Sequence, residues 1–374
     1  MAITNLESVI LHRLALAPFR ADTDAGVILE TQRQALALGE DLFLKFLGEN
    51  GLDALWYEVL KQNDLAVAVP EWFLVALKRA RQIAAARYLA QKHALERIDV
   101  AFEAASVRYA VIKGVHVREL VYDDPALRPA SDIDILIARN QRDLAVQTLV
   151  RHGFVPHLDA EIVSHEASFH DRNVSIDLHW HIMRPGRTRI DVTGSFLGRR
   201  RWEGFFWGLD HTDALFMLLV HPAFAKYVTS PHALLCRLVD LSRWLGSRDV
   251  DWDKILALLD NAGLKTAAWA VLSWTSWLMG PVAPFDILKS LEPGYLRARY
   301  LRYWVEQNLP SRWLHYPLLI QIAFTLALHD RPNDAMTAIR GWLHHKWMMR
   351  DEQETLLAAL ADSPPGQLGD ARGC

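Results

Sequence analysis

The stretch Arg128-Pro129-Ala130-Ser131-Asp132-Ile133-Asp134-Ile135-Leu136 constrains this chain more than any other. In Asp132-Ile133-Asp134 two carboxylates alternate with large apolar residues, the pattern of a strand that throws both acids to one face and anchors Ile133 and Ile135 on the other. Like charges side by side on a strand repel. A structural protein gains little from the arrangement unless a cation neutralises it. Magnesium does so well, because it prefers carboxylate oxygens shared with substrate phosphates. The expectation is a metal-dependent phosphate-transfer site.

The surrounding pattern changes character twice. Residues 5–105 carry apolar side chains at helical spacing, as in Leu42, Phe43, Phe46 and Leu47, with Pro70 marking a helix start. From Val107 to Trp180 strands and helices alternate. A strand runs from Val107 into Lys113-Gly114, a short helix covers Val115 to Tyr122, and the acidic strand covers Asp132 to Ala138. An amphipathic helix then runs from Gln141 to His152, stopped by Gly153. A hairpin follows, with strands Ala167–His170 and Val174–Trp180 around Asp171-Arg172-Asn173. After Asp210 the helical period returns in His211–Ala225, His232–Leu245, Asp253–Asn261 and Thr266–Met279.

These patterns predict an α+β fold: a small mixed-sheet core (106–205) between an N-terminal helical segment (1–105) and a large C-terminal helical domain (206–362), with a flexible tail (363–374). At 374 residues, with 51% hydrophobic content and fourteen tryptophans, the chain can bury several cores. Its formal charge of -3 excludes a global basic field for nucleic acid. Two cysteines, Cys236 and Cys374, make no disulfide framework. The opening residues lack a secretory signal pattern, so a cytoplasmic location without membrane attachment is expected. The uncharged run between Lys265 and Asp286 is interrupted by hydroxyl residues and Gly280-Pro281, which predicts a buried bundle helix rather than a membrane span.

In Val174-Ser175-Ile176-Asp177-Leu178-His179-Trp180 the apolar Val174, Ile176 and Leu178 share one face, and Ser175, Asp177 and His179 the other. Placed beside the acidic strand, Asp177 would join Asp132 and Asp134. Three such carboxylates can hold two Mg²⁺ ions, or Mn²⁺ in their place, about 3.5–4 Å apart for in-line displacement at phosphorus. Gly114 lets backbone approach a phosphate at a helix start. Lys113 and Arg128 can either bind that phosphate or pair with the aspartates. Ser131 can contact nucleotide or simply make a local turn bond. A rival reading takes Asp177, His179 and His181 as part of an iron or zinc site, although ligands this close on one strand reach a single ion poorly. His179-Trp180 is otherwise expected to pack behind Asp177. Trp342 to Trp347 could form a basic, aromatic contact face, although aromatic residues on a helix usually pack.

Ile112-Lys113-Gly114, Tyr122, Arg128-Pro129 through Leu136, and Asp177-Leu178-His179-Trp180 together resemble a group of uncharacterised bacterial nucleotidyltransferases within the polymerase-β-like superfamily. The resemblance covers roughly residues 105–250 and extends to His221 and to Arg237 and Asp240, which it implies as base- or acceptor-site residues. Arg237 and Asp240 could equally pair with each other along one helix. The chain departs from the broader superfamily in carrying Val115, where a serine is common, after Gly114, and in a longer gap from Gly114 to Asp132. The implied reaction moves NMP from an NTP such as ATP to a hydroxyl- or phosphate-bearing acceptor (small molecule, peptide or RNA) and releases pyrophosphate. Asp132, Asp134 and Asp177 would hold metal, and Lys113, Gly114, Arg128 and Ser131 would hold nucleotide. The alternative is a catalytically silent nucleotide-binding or antitoxin-like scaffold.

Overall fold

The computed structural model of the chain describes residues 5–157, 166–172, 174–184, 186–229 and 234–341. Asn173 in the expected hairpin turn, His232 at an expected helix start, the Trp342–Trp347 segment, the tail and Cys374 lie outside the described residues.

The α+β reading is borne out. Helices Asn5–Leu16, Ala25–Leu38, Glu40–Glu49, Asp53–Gln62 and Glu71–Ala104 precede a mixed sheet, and helices from His211–Ala225 to Tyr295–Glu306 follow it. Packing divides the chain into two units. Among the described residues, one comprises those within 5–86, 120–129 and 215–331, and the other those within 87–119, 130–214 and 332–341. Distant segments of the chain contribute to each unit.

The sheet belongs to the second unit. Its strands are β1 (Tyr109–Ile112), β2 (Asp132–Ile137), β3 (Val155–Pro156), β4 (Glu166–Asp171), β5 (Val174–His179), β6 (Arg201–Trp202) and β7 (Trp207–Gly208). Their spatial order is β3-β4-β5-β2-β1-β7-β6. Three strands, β3, β6 and β7, have no counterpart in the sequence reading. Each is two residues long, too short for an alternating pattern to register. The remaining strands are long enough for their period to decide which side faces the core. Ile133, Ile135 and Ile137 of β2 and Val174, Ile176 and Leu178 of β5 join Leu95, Ile98, Phe102 and Leu149 in one apolar cluster. Ile133, Ile135, Ile176 and Leu178 are fully buried there. Each contributes about 1.5–3 kcal/mol on burial, which fixes the register of the acids: a one-residue slip would turn every one of these side chains over.

The helix Lys113–Val121 leaves β1 directly. Its His116 ring is fully buried beside Gly208, and a Cβ at that glycine would fall 2.3 Å from His116 Nε2. Phe206 meets the same ring edge-on at 6.2 Å between centroids. The glycine thus lets the helix carrying Lys113 and Gly114 close against β7.

In the helical unit, Lys265–Met279 is a fifteen-residue helix, buried along most of its length and ended at Gly280. This is the uncharged run of the sequence, and it packs as a bundle helix. Among the described residues no helix is long and apolar enough to cross a membrane.

Candidate active site

The pairing registers build the site. Strands β2 and β5 run parallel with Asp134 opposite Asp177, and β1 runs antiparallel to β2 with Ile112 opposite Asp134. On the outer side, β4 pairs antiparallel with β5, setting Ser168 opposite Asp177 and Glu166 opposite His179. Period-two alternation then puts Asp132, Asp134, Asp177, His179, Ser168 and Glu166 on the sheet face opposite the apolar cluster.

Asp134 is the most enclosed of the acids, at 5% exposure. Lys113 Nζ donates to its Oδ1 at 2.6 Å, and His179 Nε2 lies 2.8 Å from the same oxygen. Burial alone would raise this carboxyl, but the Lys113 ammonium and the His179 hydrogen bond reverse the effect and hold it well below the ordinary carboxylate range. His179 is itself buried, and its Nδ1 lies 3.1 Å from Glu166 Oε2. Burial and the nearby lysine push the imidazole down, yet hydrogen bonds to Asp134 and Glu166 outweigh them, so the charged ring is favoured. Asp177 goes the other way. Burial raises it, the neighbouring Asp134 and Asp132 raise it further, and a 2.7 Å hydrogen bond from Ser168 Oγ offsets part of the rise. Asp132, half-buried at the start of β2, accepts from Ser131 Oγ at 3.0 Å.

Lys113 reaches Asp134 from an unusual backbone. Its φ is +57°, in the left-handed region that a residue with a Cβ adopts only when its surroundings require it. Gly114 follows as the second residue of the helix, where the first-turn N–H groups have no intrahelical acceptor.

The other residues singled out from the sequence go elsewhere. Arg128 is buried against Asp240, with Nε and Nη2 lying 3.1 and 2.8 Å from Asp240 Oδ2. Tyr122 Oη donates to the other carboxylate oxygen at 2.7 Å. All three belong to the helical unit, together with His221 and Arg237. Asp240 thus binds Arg128, and Arg237 lines a small cavity with Leu218, Pro222 and Trp274. Of the two uses open to Arg128, a phosphate contact or an ion pair, the structure exhibits an ion pair, and its partner is none of the three motif aspartates. His181 turns its Nδ1 to Asp191 at 3.4 Å, so the rival trio of Asp177, His179 and His181 does not assemble.

Sequence reasoning missed Glu166 and Ser168, and it put His179 behind Asp177 when the ring contacts Asp134. The signal for the first two was present in Glu166-Ala167-Ser168-Phe169-His170, which alternates like a half-buried strand. Assigning their partners needed the hairpin register.

A metal ion fits the assembled donors. One ligand atom from each of Asp134, Asp177 and His179 lies within 4.8 Å of the others. Two carboxylate oxygens suit Mg²⁺ or Mn²⁺, and the His179 nitrogen can join them once the ring has given up its proton and is neutral. The Lys113 ammonium already lies against Asp134 in this cluster.

A search of curated proteins returns no match to the chain. The sequence model of one family, described as uncharacterised nucleotidyltransferase, does match, over residues 37–280, a span that includes β1 through β7. That span covers well over half of the 374 residues and supports a general role in nucleotidyl transfer. With the acid-bearing sheet inside the matched region, the chain belongs to this nucleotidyltransferase family.

Proposed function

We propose that the protein is a Mg²⁺-dependent nucleotidyltransferase that moves NMP from an NTP to a hydroxyl- or phosphate-bearing acceptor and releases pyrophosphate. One observation carries the reading: the β2–β5 register sets Asp134 beside Asp177, with His179 completing a group of donors able to share an ion. A structural protein has no need to bring repelling acids together on a sheet face. A phosphate-transfer enzyme does.

Asp134, Asp177 and His179 would hold the metal, with Asp132 at the start of β2 as a further carboxylate ligand toward a second ion. Bound there, Mg²⁺ supplies charge neutralisation at the phosphates and a more acidic acceptor hydroxyl. The chain's own part is positioning. Ser168 fixes one oxygen of Asp177, and Glu166 fixes the His179 ring from its far side. The first turn of the helix Lys113–Val121 offers backbone N–H groups to a phosphate at Gly114, and Lys113 adds a positive charge beside them. Ser131 stands next to Asp132, within reach of the same substrate. Pre-set dipoles and charges of this kind lower the barrier without reorganising during the reaction. Arg128 and Asp240 form a buried pair within the helical unit. His221 and Arg237, implied by family likeness, are proposed for the acceptor or base.

The test incubates the protein with each NTP, Mg²⁺ and fractionated acceptor pools, and follows pyrophosphate together with the mass of a nucleotide added to an acceptor. Asp134→Ala and Asp132→Ala are expected to abolish both signals while far-ultraviolet circular dichroism stays unchanged. Undiminished pyrophosphate release in Asp134→Ala would remove the reading.

A further inference from the structure

Lys113 Nζ lies 2.6 Å from Asp134 Oδ1 and 3.2 Å from His179 Nε2, two of the three groups whose atoms could hold an ion. A metal bound through Asp134 would therefore meet the ammonium at its own donor. From this overlap we infer that Lys113 is a built-in counter-ion of the metal cage, displaced toward the phosphates when metal enters with the nucleotide. The inference rests on the metal-dependent reading above and adds an order of events to it.

The choice of residue fits an exchange. A carboxylate as enclosed as Asp134 requires a positive partner at all times. Lysine provides one as a compact point charge on a flexible stem and gives the carboxylate one contact, so the charge can leave without dismantling a hydrogen-bonded fork. The Lys113 side chain keeps 16% exposure, which leaves the ammonium a way out. Its backbone marks the same position. The left-handed φ of +57° occurs where β1 turns into the helix, one residue before Gly114. Lysine and phosphate-binding backbone are thus adjacent in the chain, so an ammonium leaving Asp134 has anionic oxygens waiting beside its own helix.

The consequence is coupling. Metal alone must expel the lysine into water, whereas metal arriving with a triphosphate gives the lysine a new partner. Metal and nucleotide should then each tighten the other's binding by one factor, as linkage requires.

Mn²⁺ binding, read from the loss of the free-ion electron paramagnetic resonance signal beyond that caused by the analogue alone, tests this without turnover. Wild type, Lys113→Met, Lys113→Gly and Asp134→Asn are titrated with Mn²⁺ alone and again with an α,β-methylene NTP analogue. Lys113→Gly also accepts the left-handed backbone, which guards against a misfolded methionine variant. Both lysine variants should bind Mn²⁺ alone at least about tenfold more tightly than wild type, and should lose most of the tightening that the analogue gives wild type. Equal or weaker Mn²⁺ binding in both lysine variants, with Asp134→Asn still abolishing it, overturns the counter-ion and leaves the metal reading intact. Wild type that binds no Mn²⁺ even with the analogue overturns both.

Discussion

Arg128 grips Asp240 with Nε and Nη2 at 3.1 and 2.8 Å, while Lys113 meets Asp134 through one Nζ contact at 2.6 Å. Both acids are buried. Around Asp240 the partners are fixed: a tyrosine hydroxyl and a planar guanidinium fork, itself held by Arg128 Nη1 donating to Pro129 O at 2.8 Å. Around Asp134 the partners are a flexible ammonium on a strained backbone and a histidine with a second carboxylate behind it. The same elementary interaction serves rigidity in one unit and exchange in the other. What separates them is the number of bonds that must break together for the cation to leave.

Asp134→Asn should break this contrast most forcefully. The change keeps the shape of the side chain and removes the charge, so the transfer rate should fall on the order of 10³-fold or more, as expected when several kcal/mol of charge stabilisation is lost. Pyrophosphate release measures it, and a rate within tenfold of wild type would mean that Asp134 is only structural.

Arg128→Met probes the other pair. Leaving Asp240 buried without its guanidinium should cost about 3–5 kcal/mol of stability in urea unfolding. The double variant Arg128→Met/Asp240→Leu should recover most of it, since apolar replacement of a whole buried pair is often neutral. Should Arg128→Met instead keep its stability and lose nucleotide affinity, Arg128 would be a phosphate ligand, as its place in the motif first suggested.

That last possibility shows where the sequence stops being legible. Strand β2, the acid pair and the third acid on β5 could be read because alternation is local: every second residue declares its face. Helical segments on either side were legible from the same kind of local period. The destiny of Arg128 was not, because Asp240 is 112 residues away in the chain and nothing near Arg128 announces it. Nor could a sequence say which strand pairs with β2. The parallel β2–β5 register and the β4–β5 hairpin register together decide that Asp177 meets Asp134 and Ser168, and that His179 meets Glu166. Lys113 lies between these cases. Its neighbour Gly114 flagged the turn, but the residue with the left-handed backbone is the lysine, which no propensity would choose.

His179→Ala tests how far the donor group depends on a residue the sequence placed in a supporting part. Loss of the ring removes a metal donor and a partner of Asp134, so Mn²⁺ affinity should drop about 10–100-fold. Glu166→Gln keeps the ring in place with a weaker anchor, and it should lose less. If Glu166→Gln weakens Mn²⁺ binding more than His179→Ala does, Glu166 itself would have to be the ligand.

The smallest effect belongs to Ser168→Ala. Ser168 Oγ donates to Asp177 Oδ1 at 2.7 Å and opposes the burial that raises this carboxyl. Its removal leaves the Coulomb field of Asp132 and Asp134 untouched and takes away one hydrogen bond to a charged acceptor. The expected cost is about three- to tenfold in Mn²⁺ affinity at neutral pH. The sign of the pH dependence follows from the direction of the shift. Without the serine the carboxyl rises further, so more of it is protonated as pH falls, and a protonated carboxyl does not bind a cation. The gap between Ser168→Ala and wild type should therefore widen from neutral toward acidic pH in parallel Mn²⁺ titrations. A gap that stays constant with pH would mean that the hydroxyl orients Asp177 without tuning it. A gap that closes would mean that Asp177 does not bind the ion at all, and the cage would shrink to Asp134 and His179.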